Sequence, residues 1–472
     1  ESMQKIFGTD GIRCKVNQEP MTAETCLKIA KAAGFILSNK KLKKNRVIIS
    51  KDTRLSGYLF EPLITSGFVS MGMDVILLGP LPTPALPILI KSLRADMGVM
   101  ITASHNTYEY NGLKFFDSYG NKISSDLEKK IEKIVSFKKY YNKILNLDHK
   151  SGRAVRFEDA AGRYSEYLKS TIDKKTKLKK FKVVLDCGNG ATYNIAPNLF
   201  WELGVEIISI NDRPDGKNIN KNCGAVNIKQ LSNKVLELKG DIGFAFDGDG
   251  DRCAIVDDTG KIIWPDRQMM IFSRDLLQRK KGSKIIYDVK SSKHLPDYIK
   301  LYGGDAIMCR TGHSFIKKKM KEVGALLAGE MSGHIFFKED WFGFDDGIYA
   351  GAKMVEIISN QKDKSSVFFS DLPSSISTPE INIPVFIEGE QHKFIEDFVN
   401  NAKFPGAEIS KIDGLRADFD YGWGLIRASN TTPCLVTRFE ADTEENLSKI
   451  LNMFRIQIYN INKNLEIPYG KE

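Results

Sequence analysis

Strand-like apolar runs alternate with amphipathic helical stretches through most of this chain, and that alternation limits it to mostly parallel sheets joined by crossover helices. "RVIIS" follows a helical stretch over 22–39, "DVILLG" one over 60–72, and "MGVMIT" one over 83–94. A second series opens with "KVVLDCGNGA" (182–191) and continues with "VEIISI" and "IGFAF". A third begins near "KIIWPD", with "KIIYDV", "DAIMCR" and "ALLAGE" as its strands. The last section is patterned differently, since "PEINIPVFI", "AEISKIDGLRADF", "GWGLIRAS" and "PCLVTRFEA" are strands with two helical stretches, as in an α+β domain with a mainly antiparallel sheet. One core rarely serves 472 residues, so three or four domains are expected. Polar stretches near 145–155 and "NQKDKSS" (360–366) read as joints between them.

The composition, 42% hydrophobic and 27% charged, is that of a globular protein, and no apolar run approaches the roughly 20 residues needed to cross a bilayer. Seven scattered cysteines without a C-x-x-C pair suit a reducing compartment and argue against a disulfide framework or a structural zinc site. The expectation is a cytoplasmic protein with no membrane partner. A net charge of +10 raises nucleic-acid binding, but the densest basic run, "NKKLKKNR" (39–46), has no zinc-finger spacing, aromatic-glycine motif or heptad beside it. A positive field that gathers small anionic substrates is the better reading.

Four constellations carry chemistry. In "FDGDGDR" (246–252), Asp247, Asp249 and Asp251 alternate with glycines between two strand-like runs. Three carboxylates so close repel unless a cation neutralises them, and hard oxygen ligands favour Mg²⁺. A calcium-binding EF-hand would need glycine at loop position six, where Arg252 stands, and Glu at twelve, where Asp258 stands. In "RASNTTP" (427–433), Arg427, Ser429, Asn430, Thr431 and Thr432 place a guanidinium, hydroxyls and an amide on one turn, which suits a phosphate dianion. In "GEMSGH" (329–334), Glu330, Ser332 and His334 suit vicinal sugar hydroxyls; the spacing is not the G-x-S-x-G of serine hydrolases. In "TASHNTYEYNGLKFF" (102–116), Ser104, which could carry a phosphoryl group, and His105 precede Lys114, which follows an Asn-Gly turn. The lysine suits acid/base work if burial or neighbouring cations lower its pKa.

With "FGTDGIR" near the start, these motifs lie in one order and spacing, and on them the chain resembles the α-D-phosphohexomutase superfamily from end to end. The resemblance implies four domains around a central cleft: 1–153, 154–256 and 257–372, each α/β with mixed sheets, and 373–472, an α+β domain like the TATA-binding protein. It implies that Ser104 carries a phosphoryl group and contacts Mg²⁺ held by Asp247, Asp249 and Asp251, and that a hexose 1,6-bisphosphate is both intermediate and activator. Lys114 matches the general acid/base, while Arg13 and His105 match residues supporting the transferring group. Arg252, Lys290 and His313 match substrate-binding residues; Glu330 and Ser332 match the sugar contacts, with His334 beside them. Arg427, Ser429, Asn430 and Thr431 match the site of the non-reacting phosphate. A monomer or homodimer acting on small hexose phosphates is implied.

The sugar is read from the two halves. "FGTDGIR", "KDTRLSGY", "GPLPTPA" and "NINKNCG" resemble phosphoglucosamine mutases, whereas the stretches around "GEMSGH" and "GWGLIRASNTTPCLVTRFEADTEE" resemble dual-specificity phosphomannomutase/phosphoglucomutases. Phosphoglucosamine mutases usually carry Gln where Met331 stands and glycine where Asn430 stands. Sugar selection lies in the second half, so mannose and glucose phosphates are favoured, with glucosamine phosphate the alternative. Cys14 replaces the glycine that normally follows "GIR".

Overall fold

A computed structural model describes residues 2–145, 150–173, 178 and 181–469. The chain divides into two compact units: Glu1–Ile263 with Phe344–Phe369, and Trp264–Gly343 with Ser370–Glu472.

The first unit holds two mixed sheets. One contains β1 (Ile12–Lys15), β2 (Arg46–Lys51), β3 (Asp74–Pro80), β4 (Met97–Ile101), β5 (Tyr110–Phe116) and β6 (Ala154–Arg156), in the order β1-β5-β4-β2-β3-β6. β2 lies parallel to β3 and β4, and its unbroken apolar run is the pattern of a strand covered on both faces. The crossover helices are α1 (Ala23–Leu37), α2 (Gly57–Ser70) and α3 (Ala85–Ser92). Thr22 caps α1 by accepting the Thr25 N–H, and buried Cys26, Ile29, Ala30 and Ala33 recur at helical spacing to face the core. The Asn-Gly expected as a turn is instead strand: Asn111 and Gly112 lie inside β5, antiparallel to both β1 and β4. A side chain at Gly112 would stand 2.1 Å from the Ile12 carbonyl oxygen, so glycine is needed there for close backbone approach. Two further helices, α4 (Ser125–Ser136) and α5 (Lys138–Leu145), complete this part. The joint read near 145–155 lies partly outside the described residues, at 146–149.

After α6 (Ala160–Ser170), the second sheet takes β7 (Lys182–Asp186), β8 (Glu206–Ile210), β9 (Ile242–Phe246), β10 (Cys253–Asp257) and β11 (Ile262–Ile263), in the order β11-β10-β9-β7-β8. Its helices are α7 (Ile195–Leu203) and α8 (Lys229–Leu238).

In the second unit, α9 (Pro265–Arg279), α10 (His294–Leu301) and α11 (His313–Val323) accompany β12 (Lys284–Asp288), β13 (Asp305–Cys309), β14 (Leu327–Gly329) and β15 (Ile335–Phe337). β12 pairs in parallel with β13 and β14, and β14 runs antiparallel to β15. The short β16 (Phe344–Asp345), α12 (Gly347–Ser359) and α13 (Ser365–Ser370) follow. α12 belongs to the first unit, where Tyr164 Oη donates to Asp346 at 2.5 Å. The last section has β17 (Ile376–Ser377), β18 (Ile381–Pro384), β19 (Glu408–Ser410), β20 (Leu415–Phe419), β21 (Gly422–Ala428) and β22 (Cys434–Ala441), all paired antiparallel as the sequence suggests. Helices α14 (Glu390–Asn401) and α15 (Glu444–Ile461) pack on this sheet through Phe398 and Phe454. Among the described residues, no helix is long and apolar enough to cross a membrane.

Candidate active site

In open α/β sheets, ligands gather beyond the carboxyl ends of the strands, and the first unit places its chemistry there. Ser104 follows β4 and Asp247 follows β9. The loop from Asp247 to Arg252 closes a hairpin between β9 and β10, in which Phe246 pairs with Cys253. The two loops touch: Ser104 Oγ donates to Asp247 Oδ2 at 3.2 Å, and a side chain at Gly248 would meet the Ser104 carbonyl oxygen at 2.3 Å. Ser104, the three aspartates and Lys114 are all buried.

Lys114, on β5, donates to Asp249 Oδ2 at 2.8 Å and lies 3.8 Å from Asp251 Oδ2 and 3.4 Å from Asp10 Oδ2. Thr83 Oγ1 also donates to Asp249 Oδ2, at 2.5 Å. The Arg252 backbone N–H and Nε donate to the two oxygens of Asp247 at 3.1 and 3.0 Å. Arg13 Nη1 donates to Asn106 Oδ1 at 3.4 Å and its Nη2 to Asp10 at 3.5 Å, which puts Arg13 on the serine loop beside Lys114. Asp10 also pairs with Lys122.

These contacts set the charge states. Burial works against the Lys114 ammonium, but the Asp249 and Asp251 carboxylates outweigh it and hold its pKa above the usual lysine value. The condition under which the sequence suits Lys114 to acid/base work, a lowered pKa, is not met in this arrangement, where the ammonium is favoured. Asp249 is desolvated too, yet the Lys114 ammonium keeps it ionised and below the ordinary carboxylate range. Asp251 goes the other way, because burial and then the Asp247 and Asp249 charges drive it well above that range. His105 is held at about 4 by desolvation and by the Arg252 and Arg13 guanidinium groups, so its ring is neutral at pH 7.

The aspartates fit a cation. Their ligand oxygens lie within 4.8 Å of one another, and Asp249 Oδ1 is buried without a hydrogen-bond partner. An orphaned carboxylate oxygen in such a place is costly unless a positive charge meets it.

The second unit presents the remaining predicted residues at the ends of β12, β13, β14 and β21. Lys290 follows β12 and pairs with Glu380 at 2.7 Å. The turn between β14 and β15 carries Glu330, Ser332 and His334, and closes through Glu330 N–H to the His334 carbonyl at 3.0 Å. Glu330 Oε2 accepts the Gly312 N–H at 3.3 Å, and the rings of His313 and His334 meet edge to face with centroids 4.9 Å apart. In the turn after β21, Ser429 Oγ accepts the backbone N–H groups of Thr431 and Thr432 at 3.2 and 3.1 Å, while Asn430 and Thr431 are exposed. Arg427 Nε donates to Asp413 at 3.0 Å.

Several groups in these networks escape a sequence reading. Asp10 lies inside "FGTDGIR", three residues before Arg13, and that spacing is its only signal. Asp288, at the end of β12, accepts Ser291 Oγ at 2.8 Å and Thr311 Oγ1 at 3.3 Å. Asp413 accepts Thr311 N–H at 3.1 Å as well as Arg427, and nothing in "KIDGLR" announces either bond.

Four family models match the chain in order, described as Phosphoglucomutase/phosphomannomutase, alpha/beta/alpha domain I (residues 4–142), domain II (162–260) and domain III (264–375), and C-terminal domain (386–457). The chain is 43% identical over 473 aligned residues to a phosphomannomutase/phosphoglucomutase of Pseudomonas aeruginosa, covering 98% of this chain and 97% of that protein. It is 38% identical to a phosphoglucosamine mutase of Thermodesulfovibrio yellowstonii, with 95% and 97% covered. A solved structure of a phosphoglucomutase/phosphomannomutase family protein from Burkholderia thailandensis superposes with a TM-score of 0.87 at 35% identity, covering 98% of this chain and 99% of that one.

Proposed function

Because this chain belongs to the phosphoglucomutase/phosphomannomutase family, we propose that it moves a phosphoryl group between the 1- and 6-positions of a hexose phosphate, with mannose and glucose phosphates favoured and Ser104 as the carrier. The observation that carries this reading is the buried contact of Ser104 Oγ with Asp247, in a cluster that also holds Lys114.

A sugar hydroxyl attacks the phosphorus held on Ser104; the new P–O bond forms as the bond to Oγ breaks. Lys114, kept protonated by Asp249 and Asp251, gives a proton to the leaving Oγ and recovers one from the attacking hydroxyl, so it ends as it began. The bisphosphate then returns its other phosphate to Ser104 by the same steps reversed. Arg13 and His105 are assigned to the charge on the transferring oxygens, and Arg252 to substrate binding. Mg²⁺ bound by Ser104, Asp247, Asp249 and Asp251 would supply neutralisation of that charge. In the second unit, Glu330 and Ser332, with His334, are assigned to the sugar hydroxyls, and Lys290 and His313 to substrate binding. Arg427, Ser429, Asn430 and Thr431 are assigned to the phosphate that does not react.

The test compares kcat/KM for mannose 1-phosphate, glucose 1-phosphate and glucosamine 1-phosphate after priming with a hexose 1,6-bisphosphate. Production of the 6-phosphates, best with mannose or glucose, is expected. An advantage above about tenfold for glucosamine, roughly 1.4 kcal/mol of transition-state preference, would overturn the choice of sugar. Release of free phosphate in place of a 6-phosphate would make the protein a phosphatase.

A further inference from the structure

Ser104 has φ +50°, a left-handed conformation that a serine holds only where its surroundings impose it. Its two peptide groups are both pinned. On one side the Ser104 N–H donates to Thr102 Oγ1 at 3.0 Å, and that hydroxyl donates to Asp52 Oδ2 at 2.6 Å. On the other side the Ser104 carbonyl accepts Arg54 Nη2 at 3.0 Å and Asn220 Nδ2 at 2.8 Å. Arg54 Nη1 reaches the carbonyls of Asn106, Thr107 and Tyr110 at 2.9, 2.6 and 3.2 Å, while its Nε donates to Asp52 Oδ2 at 2.9 Å. Asn220 Nδ2 also reaches the Asn106 carbonyl, at 3.0 Å. Two carbonyl oxygens demand a donor, so the amide nitrogen faces them, although Asn220 Oδ1 is then left buried without a partner. The pairing of Arg54 with Asp52 is wholly buried, and Asn220 itself adopts φ +56°. These groups converge on the two peptides that flank the Ser104 side chain.

We propose that Asp52, Arg54 and Asn220 form a positioning clamp that fixes the strained Ser104 peptide and thereby aims its hydroxyl at Asp247; this rests on the reading of Ser104 as the phosphoryl carrier. Arg54 and Asp52 belong to the first sheet's loops and Asn220 to the loop after β8 of the second, so the clamp also ties the serine loop to the second sheet. "KDTRLSGY" and "NINKNCG", which supply these residues, thereby acquire a physical role.

Asn220→Gly removes the amide while tolerating the left-handed backbone, and Arg54→Lys keeps a charge for Asp52 but cannot span four carbonyls. Both are compared with the unsubstituted full chain by amide hydrogen exchange and by steady-state kinetics with glucose 1-phosphate. The clamp predicts faster exchange confined to 102–110, kcat lower by about 10²-fold and KM within about twofold. Exchange and kcat unchanged in Asn220→Gly would overturn it. So would faster exchange spread through the whole first unit, with activity falling only as the folded fraction falls. If the unsubstituted chain interconverts no hexose phosphate, the functional reading falls, and the exchange comparison still decides whether the clamp holds this loop.

Discussion

Lys114 contacts Asp249, Asp251 and Asp10 from a strand, so its ammonium is fixed in place and not merely near the serine. Lys114→Met should lower kcat by about 10²–10⁴-fold with KM nearly unchanged, as steady-state kinetics would read; a larger effect on KM than on kcat would make the lysine a binding residue. A second residue-scale prediction concerns Asp288, which burial, opposed by Lys290 and reinforced by Glu330, pushes up to about 6. Its folded-state pKa exceeds the unfolded one, so the folded state binds the extra proton between about pH 4 and 6, and stability contributed by the neutral form is lost as pH rises through that window. Urea unfolding should therefore show stability falling from pH 4 to 6 more steeply in the unsubstituted chain than in Asp288→Asn. Parallel curves would mean the carboxyl is not buried in this way. Residues whose chemistry is intrinsic, such as the aspartate triplet and Ser104, were legible in the sequence. Asp288 and Asp413 were not, because an ordinary carboxylate acquires its role only from the loops that fold against it.

Among the elements, the continuous apolar strands β2, β4 and β9 were legible from their composition, and the antiparallel character of the last section from its alternating runs. β5 was misread for a physical reason. Asn-Gly is the strongest short-range hairpin signal, and here tertiary packing overrides it, since β5 must pass between β1 and β4 with no room for a side chain at Gly112. Gly112→Ala should destabilise the first unit by about 3 kcal/mol, or prevent its folding, as measured by urea unfolding. A loss below about 0.5 kcal/mol would mean that β1 can move away. Because Lys114 is two residues further along β5, the same substitution should also disturb its contact with Asp249.

On the scale of the molecule, four successive α/β and α+β segments were legible from the alternation of patterns. The return of Phe344–Phe369 to the first unit leaves no mark in the sequence, because it rests on tertiary contacts, the packing of buried α12 against Phe200 and Phe244 and the bonds of Tyr164 with Asp346 and of Ser365 with Asp258. The aspartate cluster belongs wholly to the first unit, so cation binding should stabilise that unit. Mg²⁺ at a hundredfold excess over its Kd should raise unfolding stability by about 2.7 kcal/mol, the gain should vanish in Asp249→Asn, and chelation should abolish turnover. Equal stabilisation of both proteins would place the ion elsewhere. The most direct measurement is the intact mass of the chain after exposure to glucose 1,6-bisphosphate, followed by peptide mapping. One phosphoryl group on Ser104, absent from Ser104→Ala and discharged by added glucose 6-phosphate, is the predicted result; a phosphoryl group on any other residue, or full turnover by Ser104→Ala, would contradict it.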